Sequence, residues 1–163
     1  PFLLPDFSKE IHHEVDVVVR INRTGKGIGE KSAVQYYSEI GLGIDFTARD
    51  LQKKCKEKGL PWEIAKAFDQ SAPLGKFIDI ENLPDRNSIH FELYKNGTLA
   101  QTGNTGDMIF PIDSIIAYVS RFVTLTAGDL IYTGTPPGVG PVTSGDRLTG
   151  RLEGMRMFEF EVK

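Results

Sequence analysis

Residues 11–21 are rich in valine and isoleucine and read as a buried strand. Residues 25–29 read as a loop, and residues 32–39 as a short helix with Ser32 as its candidate cap. Residues 41–46 predict a short strand. A helix is predicted from Thr47 to about Lys58, with Asp50 completing a variant of the capping box. Gly59 supplies the stop, and Pro61 follows soon after. Ile89, Phe91 and Leu93 alternate with polar neighbours, and Asn96-Gly97 predicts a type I′ turn into a return strand over 98–102. Ile115, Ile116, Tyr118, Val119 and Phe122 predict a helix over 112–122 with these positions as its apolar face. Turns at 127–129 and 144–146 each precede a strand, and residues 158–162 alternate with period two. Strands outnumber helices, so the pattern predicts a β-rich mixed α+β fold with a few short helices.

The chain of 163 residues suits one domain over 1–163. A net charge of −3 argues against a nucleic-acid partner, because phosphate backbones call for a basic surface. No apolar run approaches membrane-spanning length, and no basic start leads into an apolar stretch as a secretory leader would. The lone Cys55 lies in the lysine-rich stretch 52–56 and cannot form an internal disulfide, which is compatible with a reducing, cytoplasmic setting. Its neighbouring lysines would lower its pKa, but without a base beside it Cys55 reads as a bystander. The opening Pro1-Phe2-Leu3-Leu4-Pro5 is apolar, like the middle of a fold, and a preceding segment is expected to be missing from this sequence.

Candidate chemistry begins at His12-His13-Glu14-Val15-Asp16. In a strand, His12, Glu14 and Asp16 share one face, and His13, Val15, Val17 and Val19 the other. Two carboxylates in an apolar run either lie on a solvated edge or share a hard divalent cation through oxygen ligands. Asp45, between Ile44 and Phe46, is either a helix-entry residue or a third carboxylate ligand. Lys66 sits among small and apolar neighbours, where it either snorkels or clamps an oxyanion. Residues 132–141 form a Gly/Pro loop whose N–H groups and Thr135 would suit an anionic group, or which is an ordinary turn. There is no phosphate-loop motif and no G-x-S-x-G, and His90 on the hairpin reads as structural.

The order and spacing of these segments resemble the fumarylacetoacetate hydrolase family. The resemblance is carried by residues 12–16, 43–52, 58–68, 106–110, 115–120 and 133–141, and so covers essentially the whole chain. It is nearest to small members acting on acylpyruvates or oxaloacetate. It implies a β-roll of the family's own type, usually a homodimer, with Mg2+ (or Mn2+) on Glu14, Asp16 and Asp45. It gives Lys66 the active-site lysine role, places Arg49 and Gln52 at the substrate pocket, and makes Thr135 the loop threonine that touches a small 2-oxo acid substrate.

The implied activity is metal-dependent hydrolysis of C–C bonds in acylpyruvates (1,3-diketo acids), decarboxylation of oxaloacetate, or both. Hydroxy-dienoate isomerisation and a catalytically silent metal- or metabolite-binding homologue are the alternatives. A β-rich interaction module would instead show a substantial exposed apolar surface and no metal dependence. The sequence departs from the family at Asp16, where the family usually has Glu; the shorter carboxylate calls for a bridging water or a small strand shift. The family's lid, with its His and Glu, has no counterpart here, and His12 and His13 belong to the metal-strand motif.

Overall fold

The computed structural model describes residues 1–163. The early valine-rich run is divided at Glu14 into β1 (Ile11–His13) and β2 (Val15–Ile21). The two halves enter different sheets. β1 pairs with β4 (Thr47–Ala48) and β9 (Gly140–Pro141), whereas β2 pairs with β3 (Tyr37–Ile44) and β8 (Leu130–Tyr132). The edge strand β5 (Leu74–Asp79) completes the second sheet in the order β5-β3-β2-β8. The third sheet runs β11-β10-β6-β7, with β6 (His90–Lys95), β7 (Thr98–Asn104), β10 (Arg147–Leu152) and β11 (Met155–Glu161). All strand pairs are antiparallel, as the β-rich reading requires. Four short helices decorate them: α1 (Glu30–Ala33), α2 (Arg49–Lys58), α3 (Glu63–Lys66) and α4 (Ile112–Val119). None is long and apolar enough to cross a membrane.

A single apolar cluster joins the sheets, with Val15, Val17, Leu42, Ile44, Leu93 and Leu148 among its members. The apolar opening segment belongs to it: Phe2 stacks on Phe46 at 3.8 Å between ring centroids, and its backbone is bound to Glu161 and Lys163. The hairpin turn is as predicted, with Asn96 and Gly97 both at positive φ. Gly59 is likewise the left-handed C-cap of α2.

Four local expectations are corrected. The helix expected over 32–39 is only α1 followed by a 3-10 turn over Val34–Tyr36. Ser32 lies inside α1 and caps nothing, and Tyr37 already begins β3, because pairing with Ile21 and burial outweigh helix preference there. Thr47 does not cap α2: it lies in β4, and the helix starts at Arg49 with no side-chain cap. Asp50 accepts instead from Ser8 Oγ at 2.6 Å. Finally, α4 ends at Val119 and turns Ile112 and Ile116 inward, leaving Tyr118 and the following Phe122 largely exposed.

Candidate active site

The break between β1 and β2 creates the site. At Glu14 the chain changes sheets, and its carbonyl accepts from the N–H of Asp45, so the ends of β1, β2 and β3 meet there. Asp16 pairs with Gly43 across β2 and β3. Three carboxylates from two strand ends are thereby gathered, as the sequence suggested. Helix α2 starts two residues after Thr47 and projects Arg49 and Gln52 from one face, three residues apart. Helix α3 ends on Lys66.

Lys66 is the hub of the polar contacts. Its ammonium donates to Glu14 Oε2 at 2.9 Å, Asp45 Oδ2 at 2.6 Å and Thr47 Oγ1 at 2.6 Å. Arg49 forms an ion pair with the other Glu14 oxygen, donates to Gln52 Oε1 at 2.9 Å, and reaches His12 Nδ1 at 3.4 Å. Lys66 is therefore not snorkelling; its charge is used between two acids. Thr47, which sequence reasoning assigned to a helix cap, is a member of this site.

Asp16 stands apart from the two cations. It is 3% exposed, and one oxygen accepts from the Gly134 N–H at 3.0 Å. The other, Oδ1, is buried with no hydrogen-bond partner. Burial pushes the Asp16 carboxyl up to about 7; the Gly134 N–H opposes this, while the charges of Asp45 and Glu14 add to it. Burial also raises Asp45, against the pull of Lys66. At Glu14 burial acts upward too, but the bonds from Lys66 and Arg49 overcome it and hold the carboxyl below its usual range. Three carboxylates face two cationic side chains, so the fully ionised cluster carries one excess negative charge.

The carboxylates do not form a ready metal cage in this arrangement. The Lys66 ammonium stands between Glu14 and Asp45, where it acts as a cation in its own right. The donor set nevertheless fits a hard divalent ion: all three groups offer oxygen, and the orphaned Asp16 Oδ1 is a buried acceptor in want of a positive partner.

The Gly/Pro loop is strapped along β2. Thr133 donates through its N–H and its hydroxyl to the Val17 carbonyl, and Thr135 Oγ1 donates to the Val15 carbonyl at 2.8 Å. The Thr135 proton is thus committed to the backbone. A cleft of about 470 Å³ opens against this loop, walled on its other side by Met108, Ile109, Phe110 and Ile115. It shares Gly134 and Thr135 with the site but not the carboxylates. His90 bonds Thr102 on the neighbouring strand, and Cys55 is buried in α2; neither joins the cluster.

Sequence reasoning also passed over Gln101 and Tyr132. The Tyr132 ring crosses Gly43 beside Asp16, and its hydroxyl donates to the Ala72 carbonyl at 2.9 Å. Gln101 is buried opposite Leu93, and a polar residue in the inward row of a hairpin was the available signal.

Residues 1–163 match the family model described as the fumarylacetoacetate (FAA) hydrolase C-terminal region. A mitochondrial oxaloacetate tautomerase of Mus musculus is 44% identical over 163 residues, which are the whole of this chain and 74% of that protein. A mitochondrial oxaloacetate decarboxylase of Dictyostelium discoideum is 40% identical, over 95% of this chain and 71% of that protein. The crystal structure of fumarylpyruvate hydrolase from Pseudomonas aeruginosa, in complex with Mn2+ and pyruvate, superposes with a TM-score of 0.93 at 34% identity, covering 99% of this chain and 69% of that one. With the family model, the sequence identities and the fold superposition all covering essentially the whole chain, the chain belongs to the fumarylacetoacetate hydrolase family.

Proposed function

We propose that this chain is the catalytic core of an enzyme acting on small 2-oxo acids, in which Glu14, Asp16 and Asp45 hold a divalent cation, Mg2+ or Mn2+. Its reactions are C–C bond hydrolysis in acylpyruvates, decarboxylation of oxaloacetate, or both. The observation that carries the reading is the buried, unpartnered Oδ1 of Asp16 beside two further carboxylates. The protein works as a homodimer in a cytoplasmic setting.

Oxaloacetate is the first substrate to test, because it is named in the tautomerase at 44% identity and in the decarboxylase at 40%. Loss of its distal carboxylate as CO2 and removal of a C3 proton during tautomerisation place negative charge on the same atom, the C2 carbonyl oxygen. One arrangement therefore serves decarboxylase and tautomerase alike, and the 44% identity to a tautomerase favours the latter as a second reading. When bound, the cation supplies Lewis acidity toward that carbonyl. With a cation taking up the charge of Glu14 and Asp45, the Lys66 ammonium would be released from them to donate to the oxygen on which charge accumulates. Arg49 is held in place by Glu14 and Gln52, so its guanidinium is oriented before a carboxylate arrives. The N–H groups of the loop at Thr135 face the acid's other end.

The test is consumption of oxaloacetate and of acetylpyruvate by the purified protein with Mn2+ or Mg2+, with chelator, and in Asp45→Ala. Metal-dependent turnover is expected, falling by about 100-fold or more in the variant. Bound Mn2+ with neither consumption of either acid nor faster keto–enol exchange of oxaloacetate would overturn the enzyme reading and leave a metal-binding homologue.

A further inference from the structure

We propose that Gln101 is a positioning residue: it ties the segment between Glu14 and Asp16 to the loop carrying Thr135, and so fixes the carboxylates relative to the residues that meet substrate. The inference rests on the metal and substrate roles proposed above.

Every hydrogen-bonding position of the Gln101 amide is engaged. Its Oε1 accepts from the Val15 N–H at 3.1 Å and lies 2.8 Å from His13 Nδ1. Its Nε2 donates to Thr135 Oγ1 at 2.8 Å and to the Pro136 carbonyl at 3.0 Å. Two of these partners are main-chain groups with no freedom of role: an N–H must donate and a carbonyl must accept. The amide is therefore oriented unambiguously, and His13 must carry its proton on Nδ1. The residue is 2% exposed, so water does not compete for these bonds.

Val15 is the only residue between Glu14 and Asp16, and both of its main-chain polar groups are in this network. Its N–H goes to Gln101, and its carbonyl accepts from Thr135, which in turn accepts from Gln101. The same loop supplies the Gly134 N–H to Asp16. Gln101 comes from β7, in a different sheet from both β1 and β2, so it braces the corner from outside. Close packing reinforces the brace. Gly138 turns at a φ of +102°, and a Cβ there would overlap the Ala100 carbonyl oxygen, so the loop returns directly over the strand that bears Gln101. A rotation of the Gln101 amide would thus disturb the ligand segment and the substrate loop together.

Two variants separate the two ends of the brace. Gln101→Met keeps the volume and removes all four bonds; Gln101→Glu keeps the acceptor for Val15 and removes the donors to Thr135 and Pro136. Mn2+ affinity is measured by titration calorimetry below the unfolding temperature of each protein, and KM and kcat for oxaloacetate at saturating Mn2+. Gln101→Met is expected to weaken Mn2+ binding by about 10-fold or more. Gln101→Glu is expected to bind Mn2+ as the wild type does but to raise KM about 10-fold, and adding Thr135→Val to it raises KM no further.

A Gln101→Met protein with a lower unfolding temperature and unchanged Mn2+ affinity and KM would reduce Gln101 to a structural residue and overturn the inference. Additive effects of Gln101→Glu and Thr135→Val would do the same for its action through Thr135. If Gln101→Met does not fold, the Gln101→Glu and Thr135→Val cycle decides. If the wild type binds no Mn2+, the metal reading itself falls; if it binds Mn2+ and only the variants behave as wild type, that reading stands and this inference alone fails.

Discussion

At the scale of residues, Asp16 is the most consequential group. Its carboxyl is raised from an ordinary 3.8 to about 7 by burial, with the Gly134 N–H opposing and two neighbouring carboxylates assisting. Between those values the folded, cation-free protein binds a proton that the unfolded chain has released. The Asp16 contribution to stability is therefore fully present below about pH 4, falls by about 1.4 kcal/mol per pH unit above it, and is lost once pH has risen through about 7. Without added cation, the unfolding temperature at pH 8 should lie several degrees below that at pH 5.5, and Asp16→Asn should flatten the dependence. Mn2+ should raise the unfolding temperature more at pH 8 than at pH 5.5, since only the ionised carboxylate is a ligand. A scan that shows equal stabilisation at both pH values would remove Asp16 from the cation site. The types and order of the site residues were legible in the sequence, since Glu14, Asp45, Lys66, Arg49 and Gln52 all meet. The part of Thr47 was not: a threonine before a helix is a good cap, and only the fold brings Lys66 to its hydroxyl.

At the scale of elements, local signals succeeded where the chain is its own partner. The Asn96-Gly97 turn and the Gly59 stop depend on backbone conformations that few residues adopt, so sequence specifies them directly. They failed where a distant strand decides. Nothing in 11–21 marks the change of sheet at Glu14, because apolar periodicity is the same on both sides of the corner. Edge strand β5 was missed because it buries little and so carries no alternation, and residues 37–39 were taken into β3 by pairing with β2 and β5. The β2–β3 pair shows how tightly one element can constrain the site. Gly43 faces Asp16, and a Cβ there would come within 2.7 Å of the Tyr132 ring, whose hydroxyl is already bound to Ala72. Gly43→Ala should therefore cost about 1–3 kcal/mol in urea denaturation, as overpacking does. An unchanged midpoint would mean that Tyr132 swings aside freely and does not wall the site.

At the scale of the whole molecule, one apolar cluster serves three sheets, yet a stripe of large side chains is left outside it. Ile115, Tyr118 and Phe122 recur at helical spacing along and just beyond α4, with Tyr118 and Phe122 in edge-to-face contact at 5.2 Å and each more than 60% exposed. The segment leading into the helix adds Ile109 and Phe110, also mostly exposed. The sequence pattern placed Tyr118 and Phe122 in the core because periodicity reports that a face is buried without saying against what. The proposed homodimer would reconcile that pattern with the fold, because a second copy would cover side chains patterned for burial but left outside the chain's own core. A net charge of −3 is small enough not to oppose self-association. Burying one such aromatic contributes about 1.5–3 kcal/mol, and central aromatics dominate interfaces of this kind. Light scattering on the eluting protein should accordingly give twice the mass of the chain, and Phe122→Glu should give the single-chain mass at the same concentration with the far-UV spectrum unchanged. Ile109, Phe110 and Ile115 also wall the cleft beside the Thr135 loop, so that a partner seated on this stripe would narrow its mouth. The same variant should then show a raised KM for oxaloacetate along with its loss of mass. A wild-type protein that elutes at the mass of one chain across the micromolar range would leave the stripe without a partner copy and rule out the homodimer.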